Sequence, residues 1–301
     1  MSDQIETKCG FMAILGAPNV GKSTLVNRLV GAKVSIVSPK VQTTRTRVLG
    51  ICLEQQTQLI FIDTPGVFAP KRRLDRAMVA SAWGGAADAD SIVLMVDATR
   101  GIDADTRIIL EKMKNQQQTA LLIINKIDLV NKQKLLALAE ALNETGSFTD
   151  IYMISAETGD GVGDLLARLV ELAPPGPWMF PEDQITDMPS RLLAAEITRE
   201  KVFLQLHQEL PYAITVETES WEERADGSVA IGQVIYVQKA GQKGIVLGKG
   251  GAKIKSIGES SRRELEDLFE RRVHVKLFVK VRASWGDDPE RFRDWGLDFN
   301  A

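Results

Sequence analysis

The sequence predicts an α/β domain built on a mixed, mostly parallel sheet, followed by a smaller α+β domain. Three observations carry this prediction. Apolar runs alternate with helix-like segments up to about residue 170, a proline-rich stretch follows, and the elements after it come in a different order. The 301 residues are enough for two domains that each bury a core.

Six apolar runs in the first part are predicted as strands. They are rich in Ile, Leu and Val, as strands buried on both faces are. The runs are FMAILG, RVLGICL, QLIFID, SIVLMVD, TALLIIN and DIYMIS. Periodic helical segments lie between most of them, including Lys22–Val30, Asp105–Asn115 and Lys132–Leu142. A short polar stretch separates the second run from the third, which predicts one antiparallel hairpin within the sheet.

The proline-rich stretch, residues 174–189, suits neither a helix nor a central strand. It predicts a linker between a first domain at residues 1–173 and a second at residues 190–301. The second domain is expected to form a three-stranded sheet with helices. Its predicted elements are a helix near 190–208, strands near 213–223 and 229–239, helical segments over 244–270, and a strand near 273–281.

Composition excludes several classes of protein. No run of eighteen apolar residues occurs, and the N-terminal MSDQIETKCG is too polar for a signal peptide, so we expect a cytoplasmic protein without a transmembrane segment. The two cysteines, Cys9 and Cys52, have no metal-site spacing and are predicted to be buried and reduced. The two histidines, His207 and His274, lie far from any nucleophile-like Ser or Cys, which argues against a protease-like triad.

The first chemical motif follows the first strand. Residues 16–23, GAPNVGKS, match the pattern G-x-x-x-x-G-K-[ST] between a strand and a helix. Backbone N–H groups of such a loop surround phosphate oxygens, Lys22 reaches the β- and γ-phosphates, and Ser23 can ligate Mg²⁺. An ordinary strand–turn–helix corner is the alternative. The predicted phosphate-binding residues are Gly16, Ala17, Pro18, Asn19, Val20, Gly21, Lys22, Ser23 and Thr24.

A second motif, D-T-P-G, ends the strand LIFID. Asp63 is placed to hold the Mg²⁺ shell, and the Gly66 N–H can approach a γ-phosphate. The motif alone is weak evidence for a nucleotide site, because D-x-x-G is common in turns. Its position at a strand end strengthens that evidence. The predicted nucleotide contacts here are Asp63, Thr64, Pro65, Gly66 and Val67.

A third strand end carries the residues that choose the base. Asp128 accepts hydrogen bonds only, so it suits the N1–H and amino donors of guanine and opposes the N1 acceptor of adenine. We therefore expect GTP or GDP, with a backbone N–H of the Ser155–Ala156–Glu157 turn facing the guanine oxygen. A polar helix start is the alternative for this motif taken alone. The predicted residues are Asn125, Lys126, Ile127, Asp128, Ser155 and Ala156.

The Thr-rich stretch VSPKVQTTRTRVLG fits no regular element. A loop of this kind can supply a second hydroxyl to Mg²⁺ and relax after hydrolysis. We assign that hydroxyl to Thr44, with Thr43 as the competitor. The predicted metal ligands are thus Ser23, Thr44 and Asp63, and the predicted catalytic groups are Lys22, Thr44 and Gly66.

These motifs resemble the TrmE-Era-EngA-like branch of the GTPases over residues 9–170. The G-x-P-N-x-G-K-S loop, the T-T-R switch, D-T-P-G, N-K-x-D and S-A are all matched. Val67 stands where Ras-like proteins carry a water-orienting Gln, so the resemblance implies slow intrinsic hydrolysis. It also implies, as a hypothesis, that Asn19 binds K⁺.

The second domain contains the loop Gly248-Lys249-Gly250-Gly251 between helical segments. A GxxG loop lets single-stranded RNA backbone approach closely, although the pattern alone can be a helix C-cap. Residues 239–282 hold 12 Lys and Arg against 5 Asp and Glu, a net of +7 in a chain of net charge −3. We expect a nucleic-acid surface that includes Gly248, Lys249, Gly250, Gly251, Lys253 and Lys255. A solvated helix face is the alternative.

The element order around this loop resembles a type II KH domain. With FPEDQITD and VRASWGDDPERFRDWG, the match to bacterial GTPases of this branch that carry a KH domain extends over essentially the whole chain. The resemblance implies binding to the 3′ end of 16S rRNA, a part in small (30S) subunit assembly, a monomer, and peripheral contact with the inner membrane. The alternatives are another structured RNA, a P-loop phosphotransferase, and an RNA-binding protein with an inert nucleotide site.

Overall fold

The computed structural model describes residues 7–40, 43–146, 148–206, 214–283 and 285–301, and these form two compact units. Of the described residues, those up to Ser35, together with Thr44–Asp187 and Trp295–Ala301, belong to the first unit. Those within Ile36–Thr43 and Met188–Asp294 belong to the second. The units differ from the predicted boundaries in three places: the Thr-rich loop, the proline-rich stretch and the end of the chain.

The first unit contains a six-stranded sheet in the order β2-β3-β1-β4-β5-β6. The hairpin of β2 and β3 is antiparallel, and the other neighbouring strands are parallel, which confirms the predicted mixed, mostly parallel sheet. The strands are β1 Lys8–Gly16, β2 Val48–Glu54, β3 Thr57–Asp63, β4 Ser91–Asp97, β5 Ala120–Asn125 and β6 Phe148–Ile154.

Helices cover both faces of this sheet. They are α1 Lys22–Val30, α2 Arg73–Ala87, α3 Ala104–Asn115, α4 Lys132–Thr145 and α5 Val162–Leu172. Successive side chains of a strand point to opposite faces, so Met12 and Ile14 of β1 enter one core while Ala13 and Leu15 enter the other. The loops after β1, β3, β5 and β6 therefore share the carboxyl edge of the sheet, where ligands of open α/β sheets bind.

The proline-rich stretch is not a free linker over most of its length. Its backbone continues the edge of the sheet, since Ile51 N donates to Ile185 O at 2.9 Å and Gly50 bridges to Thr186. The buried side chain of Gln58 accepts from the N–H groups of Met179 and Phe180, at 2.9 and 3.0 Å. One buried polar side chain thus fixes this stretch on the first unit.

The second unit contains a three-stranded sheet in the order β7-β8-β9, in which β7 and β8 are antiparallel and β8 and β9 parallel. Its elements are α6 Ser190–Gln205, β7 Ile214–Glu223, β8 Val229–Val237, α7 Ala240–Leu247, α8 Ala252–Phe269, β9 Val273–Val281 and α9 Pro289–Asp294. The helix predicted to reach residue 208 ends at Gln205, and His207 with the first residue of the strand predicted from 213 lies outside the described residues. The helical segments predicted over 244–270 are present with the GxxG loop between them, and the first of them begins earlier than predicted, at Ala240.

Candidate functional site

The loop after β1 has the backbone conformation that phosphate binding requires. Gly21 has φ 103°, and a Cβ there would lie 2.3 Å from Asn125 Nδ2, so only glycine fits. Asn19 also has a positive φ, of 64°. Helix α1 starts at Lys22 behind Gly21, which has no side chain to cap it, so the first N–H groups of the helix remain available to an anion.

Lys22 is a buried cation in this loop. Its Nζ donates to Gly16 O at 3.1 Å and to Ala17 O at 3.0 Å. Burial lowers the pKa of Lys22 to about 8, although the nearby Asp63 carboxylate acts in the opposite direction. An anionic phosphate beside the ammonium would favour its charged form.

Two hydroxyl groups bond the carboxylate of Asp63, and a third contacts one of them. Ser23 Oγ donates to Asp63 Oδ2 at 2.7 Å, and Ser35 Oγ donates to the same oxygen at 2.6 Å. Thr44 Oγ1 lies 2.9 Å from Ser23 Oγ. Burial raises the pKa of Asp63, while Ser35, Ser23 and Lys22 oppose the rise.

This cluster fits Mg²⁺. Asp63 Oδ1 is buried, and among the residues that the structure describes it has no hydrogen-bond partner. A hard cation with oxygen ligands would satisfy that oxygen and the two hydroxyls of Ser23 and Thr44. Ser35 was not found from the sequence, because an isolated serine 28 positions before Asp63 has no motif around it.

Thr43, the competitor of Thr44, makes different contacts. Its Oγ1 donates to Lys40 O at 2.6 Å and lies 2.7 Å from Ser38 Oγ. Its carbonyl accepts from Arg199 Nη2 of α6 at 2.5 Å. Of the two hydroxyls, that of Thr44 is therefore the one beside Ser23.

The D-T-P-G loop packs closely on the phosphate loop. Val67 N donates to Gly16 O at 3.1 Å, and Thr64 Oγ1 donates to Ile14 O at 2.6 Å. A Cβ on Gly66 would lie 2.8 Å from the Cα of Pro18, so glycine is required for this approach. Val67 is buried and apolar, so it offers no group to a water molecule.

Asn125 connects two loops rather than facing outward. Its Nδ2 donates to Val20 O at 2.7 Å, and its Oδ1 accepts from Ala156 N at 2.8 Å. The side chain is 2% exposed. This geometry gives Asn125 a role in positioning the two loops, and its predicted part in selecting guanine stays a prediction, since the bond to Val20 uses only one of the two Nδ2 hydrogens. Asp128, in a 3-10 turn at Ile127–Leu129, is exposed and available to a base.

Lys126 extends back over the phosphate loop. Its Nζ donates to Asn19 O at 2.8 Å and to Asp97 Oδ2 at 2.6 Å, from a backbone with φ 67°. Burial acts to raise the pKa of Asp97, but hydrogen bonds from Lys126 and Thr99 outweigh it, so the pKa lies below its ordinary value. Asp97, at the end of β4, was not predicted because one carboxylate after a strand has no distinguishing spacing.

Three hydrogen bonds fix the loop after β6. Ser155 N donates to Asp160 O at 2.9 Å, and Ser155 Oγ accepts from Thr158 N at 3.1 Å. Arg28 of α1 donates to Ala156 O at 2.5 Å. The structure thus brings the phosphate loop, the N-K-x-D turn and this loop together at one edge of the first unit.

The GxxG loop lies between helices α7 and α8 of the second unit. Gly248, Gly250 and Gly251 have φ of 70°, 59° and 80°, and a Cβ on Gly248 would lie 2.7 Å from Lys253 Cβ. Lys249 and Lys255 are exposed, and Lys253 is half-buried. Helix α8 starts just after the loop, so its first N–H groups and these lysines share one end of the helix.

The fold and the site define a P-loop GTPase joined to a KH domain. Residues 11–126 match the model of the 50S ribosome-binding GTPase family, and residues 209–286 match the KH domain. The chain is 60% identical to GTPase Era of Sinorhizobium medicae, over 98% of this chain and 95% of that protein. It is 56% identical to GTPase Era of Brucella suis, over 99% of this chain and 96% of that protein. The chain belongs to the Era family of GTPases, which confirms the resemblance seen in the sequence.

Two solved structures have the same fold over nearly the whole chain. One is Era in complex with MgGDPNP and nucleotides 1506–1542 of 16S ribosomal RNA, with a TM-score of 0.91, 39% identity, and coverage of 96% of this chain and 99% of that one. The other is a variant of Aquifex aeolicus Era bound to GDP and AlF₄⁻, with a TM-score of 0.91, 40% identity and the same coverage. None of the helices in the described part of the chain is long and apolar enough to cross a membrane.

Proposed function

We propose that this protein is a GTP-hydrolysing switch that binds 16S rRNA near its 3′ end through its KH domain and assists assembly of the small (30S) ribosomal subunit. The observation that carries the proposal is the cluster of Ser23 and Thr44 around Asp63, in a chain that also holds a GxxG loop. The similar Era structure, which contains a GTP analogue, Mg and the 3′ segment of 16S rRNA, supports both halves.

The reaction is in-line attack of water on the γ-phosphate of GTP, with GDP as the leaving group. The Lys22 ammonium and the N–H groups at the start of α1 stabilise the negative charge that moves onto the leaving oxygens. Ser23 and Thr44 would hold Mg²⁺ through their hydroxyls, and Asp63 would complete the site, mainly through bound water. When bound, Mg²⁺ neutralises charge on the β- and γ-phosphates.

Hydrolysis is slow in the isolated protein under this proposal. Val67 is buried and apolar, so it cannot orient the attacking water as a glutamine can. A partner, or K⁺ held near Asn19, then supplies much of the missing acceleration. Replacement of Na⁺ by K⁺ in the assay buffer tests the role of K⁺ directly, and Asn19→Ala is the variant that should remove the response.

The loop between Ser35 and Thr44 links the nucleotide to the second unit. Ser35 bonds Asp63 and Thr44 contacts Ser23, whereas Val37 and Thr43, which lie between them, bond residues of α6 in the second unit. Val37 N donates to Glu200 Oε1 at 2.8 Å, and Thr43 O accepts from Arg199. A change in the metal ligands after hydrolysis therefore changes the position of a segment in which Val37 and Thr43 are bonded to α6 of the RNA-binding unit.

RNA binding is assigned to the GxxG loop and the lysines around it. Three glycines with positive φ, Gly248, Gly250 and Gly251, keep the loop free of bulky groups, so a nucleic-acid backbone can approach the start of α8. Lys249, Lys253 and Lys255 supply positive charge there. We also propose that the protein is a cytoplasmic monomer with peripheral contact to the inner membrane. This part of the proposal rests on the resemblance alone.

Two assays test the proposal. Phosphate release from GTP is measured with Mg²⁺ in KCl and without any acceptor, since a phosphotransferase would release none. Binding to a 3′-terminal 16S fragment is compared with binding to an unrelated structured RNA. Lys249→Glu should weaken binding to the 16S fragment, whereas Lys114→Glu, an equal charge change on α3 of the first unit, should not. Equal binding to both RNAs would favour a different RNA as the natural ligand.

A further inference from the structure

One face of the second unit's sheet carries an exposed aromatic ring. Alternate residues of β9, including Val275, Leu277 and Val279, pack into the cores beneath the helices. The intervening residues point to the opposite face. Among them Phe278 is 57% exposed, although a phenylalanine in a strand is ordinarily a core residue.

The neighbouring strand β8 carries small side chains beside Phe278. On the neighbouring strand β8, Val234 is directly opposite Phe278, and Gly232 and Ala230 follow toward the start of that strand. A Cβ on Gly232 would lie 2.3 Å from Ser220 Oγ, so this position stays without a side chain. Val234 is fully buried and Ser220 fills the space beside Gly232, so the exposed surface on this face is that of Phe278 and its neighbours on β9.

Lysines flank the ring on the same face. Lys276 and Lys280 lie two residues before and after Phe278, and both are exposed. Lys280 Nζ contacts Glu219 Oε1 at 2.7 Å, and that oxygen also accepts from Tyr236 Oη at 3.0 Å. The acidic side chain of Glu219 is thus already bonded to neighbours on the face.

The opposite side of the same face is covered. Arg291 of α9 pairs with Glu217 of β7, and its guanidinium lies 4.5 Å from the centre of the Tyr236 ring. Helix α9 therefore covers residues of both β7 and β8 on this face, while Phe278 on the edge strand β9 remains exposed. Because β9 is an edge strand, the open part of the face reaches the border of the sheet.

We propose that the Phe278 face, defined as His274, Lys276, Phe278 and Lys280, is a second contact surface for single-stranded RNA, separate from the GxxG loop. One unpaired base stacks on the Phe278 ring, and Lys276 and Lys280 contact the phosphates on either side of that base. Aromatic rings on sheet faces with basic neighbours bind RNA in this way, independently of sequence. This inference rests on the proposed function and extends it.

RNA fits this face better than a protein partner does. A single exposed apolar ring is common on protein surfaces and needs no ligand. Here lysines stand on both sides of the ring, as a stacked base between two phosphates requires. Helices α7 and α8 pack on the other face of β9, so the Phe278 face is distinct from the face that carries those helices. A partner protein is therefore kept as an outcome of the test.

The test compares two single-stranded RNAs from the 3′ end of 16S rRNA at one fixed salt concentration. One has about four nucleotides, the length that a GxxG loop clamps, and the other about twelve. Phe278→Ala should bind the longer RNA about tenfold more weakly, because one stacked base is lost, and the shorter RNA unchanged. Phe278→Trp should bind as the natural protein does. Leu136→Ala, at a first-unit residue that is also 57% exposed, is the matched control.

A variant that removes a negative charge from this face should change RNA affinity in the opposite direction. Glu219→Gln releases Lys280 from its ion pair, so it should tighten binding of the longer RNA and leave the shorter one unaffected. Unchanged binding of the longer RNA by Phe278→Ala would overturn the inference, and so would equal losses on both RNAs. Loss of binding to the ribosomal subunit with intact RNA binding would overturn it too and indicate a protein partner. If the natural protein binds neither RNA, the proposed function itself fails.

Discussion

Replacement of Asn125 by alanine separates a positioning role from direct recognition of the base. The side chain is 2% exposed and bonds Val20 O at 2.7 Å and Ala156 N at 2.8 Å. Both backbone groups belong to buried residues, so Asn125→Ala leaves two buried polar groups without partners. Each such group costs about 1–3 kcal/mol, which gives about 2–6 kcal/mol of lost stability.

The assay is thermal unfolding of the nucleotide-free protein, followed by GDP and XDP affinity. A unit of this size loses about 2–4 °C of Tm per kcal/mol, so we expect Asn125→Ala to lower the Tm by at least about 4 °C. GDP should bind more weakly, with the preference for GDP over XDP retained. Asp128→Asn is the matched variant. Asp128 is exposed, so the Tm should change little, while the preference for guanine is lost. An unchanged Tm together with lost guanine preference in Asn125→Ala would refute the positioning role.

Three further predictions concern a cation, a buried amide and a glycine. The pKa of Lys22 is about 8 in the free protein and rises when phosphate binds, so GDP affinity should fall up to about tenfold per pH unit above pH 8. The Lys22→Arg variant should show no such fall in GDP affinity. A flat pH profile for the natural protein would contradict the role of Lys22 in phosphate binding. Gln58→Ala should destabilise the first unit by about 2–4 kcal/mol in urea unfolding without changing GDP affinity, since its three hydrogen bonds join the proline-rich stretch to β3. Gly248→Ala should weaken RNA binding with GTPase activity unchanged, because φ is 70° and the added Cβ meets Lys253. RNA affinity is measured by fluorescence anisotropy, and an unchanged affinity would show that the loop tolerates the substitution.

Much of the fold could be predicted from the sequence where pattern and tertiary structure agree. Helix α1 and strand β9 have the predicted bounds, because buried apolar positions follow one period throughout each. The break inside the stretch from 244 to 270 was predicted from its glycines. Gly248, Gly250 and Gly251 have positive φ and separate the two helices at 248–251. The start of α7 was missed because its cap is unusual: Gln242 accepts from Lys239 N at 2.9 Å, a pairing outside the Ser/Thr-x-x-Glu pattern.

The candidate site was predictable to the extent that its residues stand in motifs at strand ends. Asp63, Ser23 and Thr44 were placed together on that basis, and the structure brings them within hydrogen-bond distance. Ser35 and Asp97 were not predictable, because each contacts its partner only through the folded chain. The sequence also did not predict that Ile36–Thr43 belongs to the second unit, since the Thr-rich pattern indicates only that no regular element forms there.

The most direct test of GTP-controlled RNA binding is one pair of affinities. The protein is loaded with GDP or with a non-hydrolysable GTP analogue, and binding to a 3′-terminal 16S rRNA fragment is measured at one fixed salt concentration. The contacts of Thr44 with Ser23, and of Val37 with Glu200, predict tighter binding with the analogue. The variant Glu200→Gln should reduce the difference between the two nucleotides. Equal affinities in the natural protein would contradict the account, because the loop that holds Thr44 would then transmit nothing to RNA.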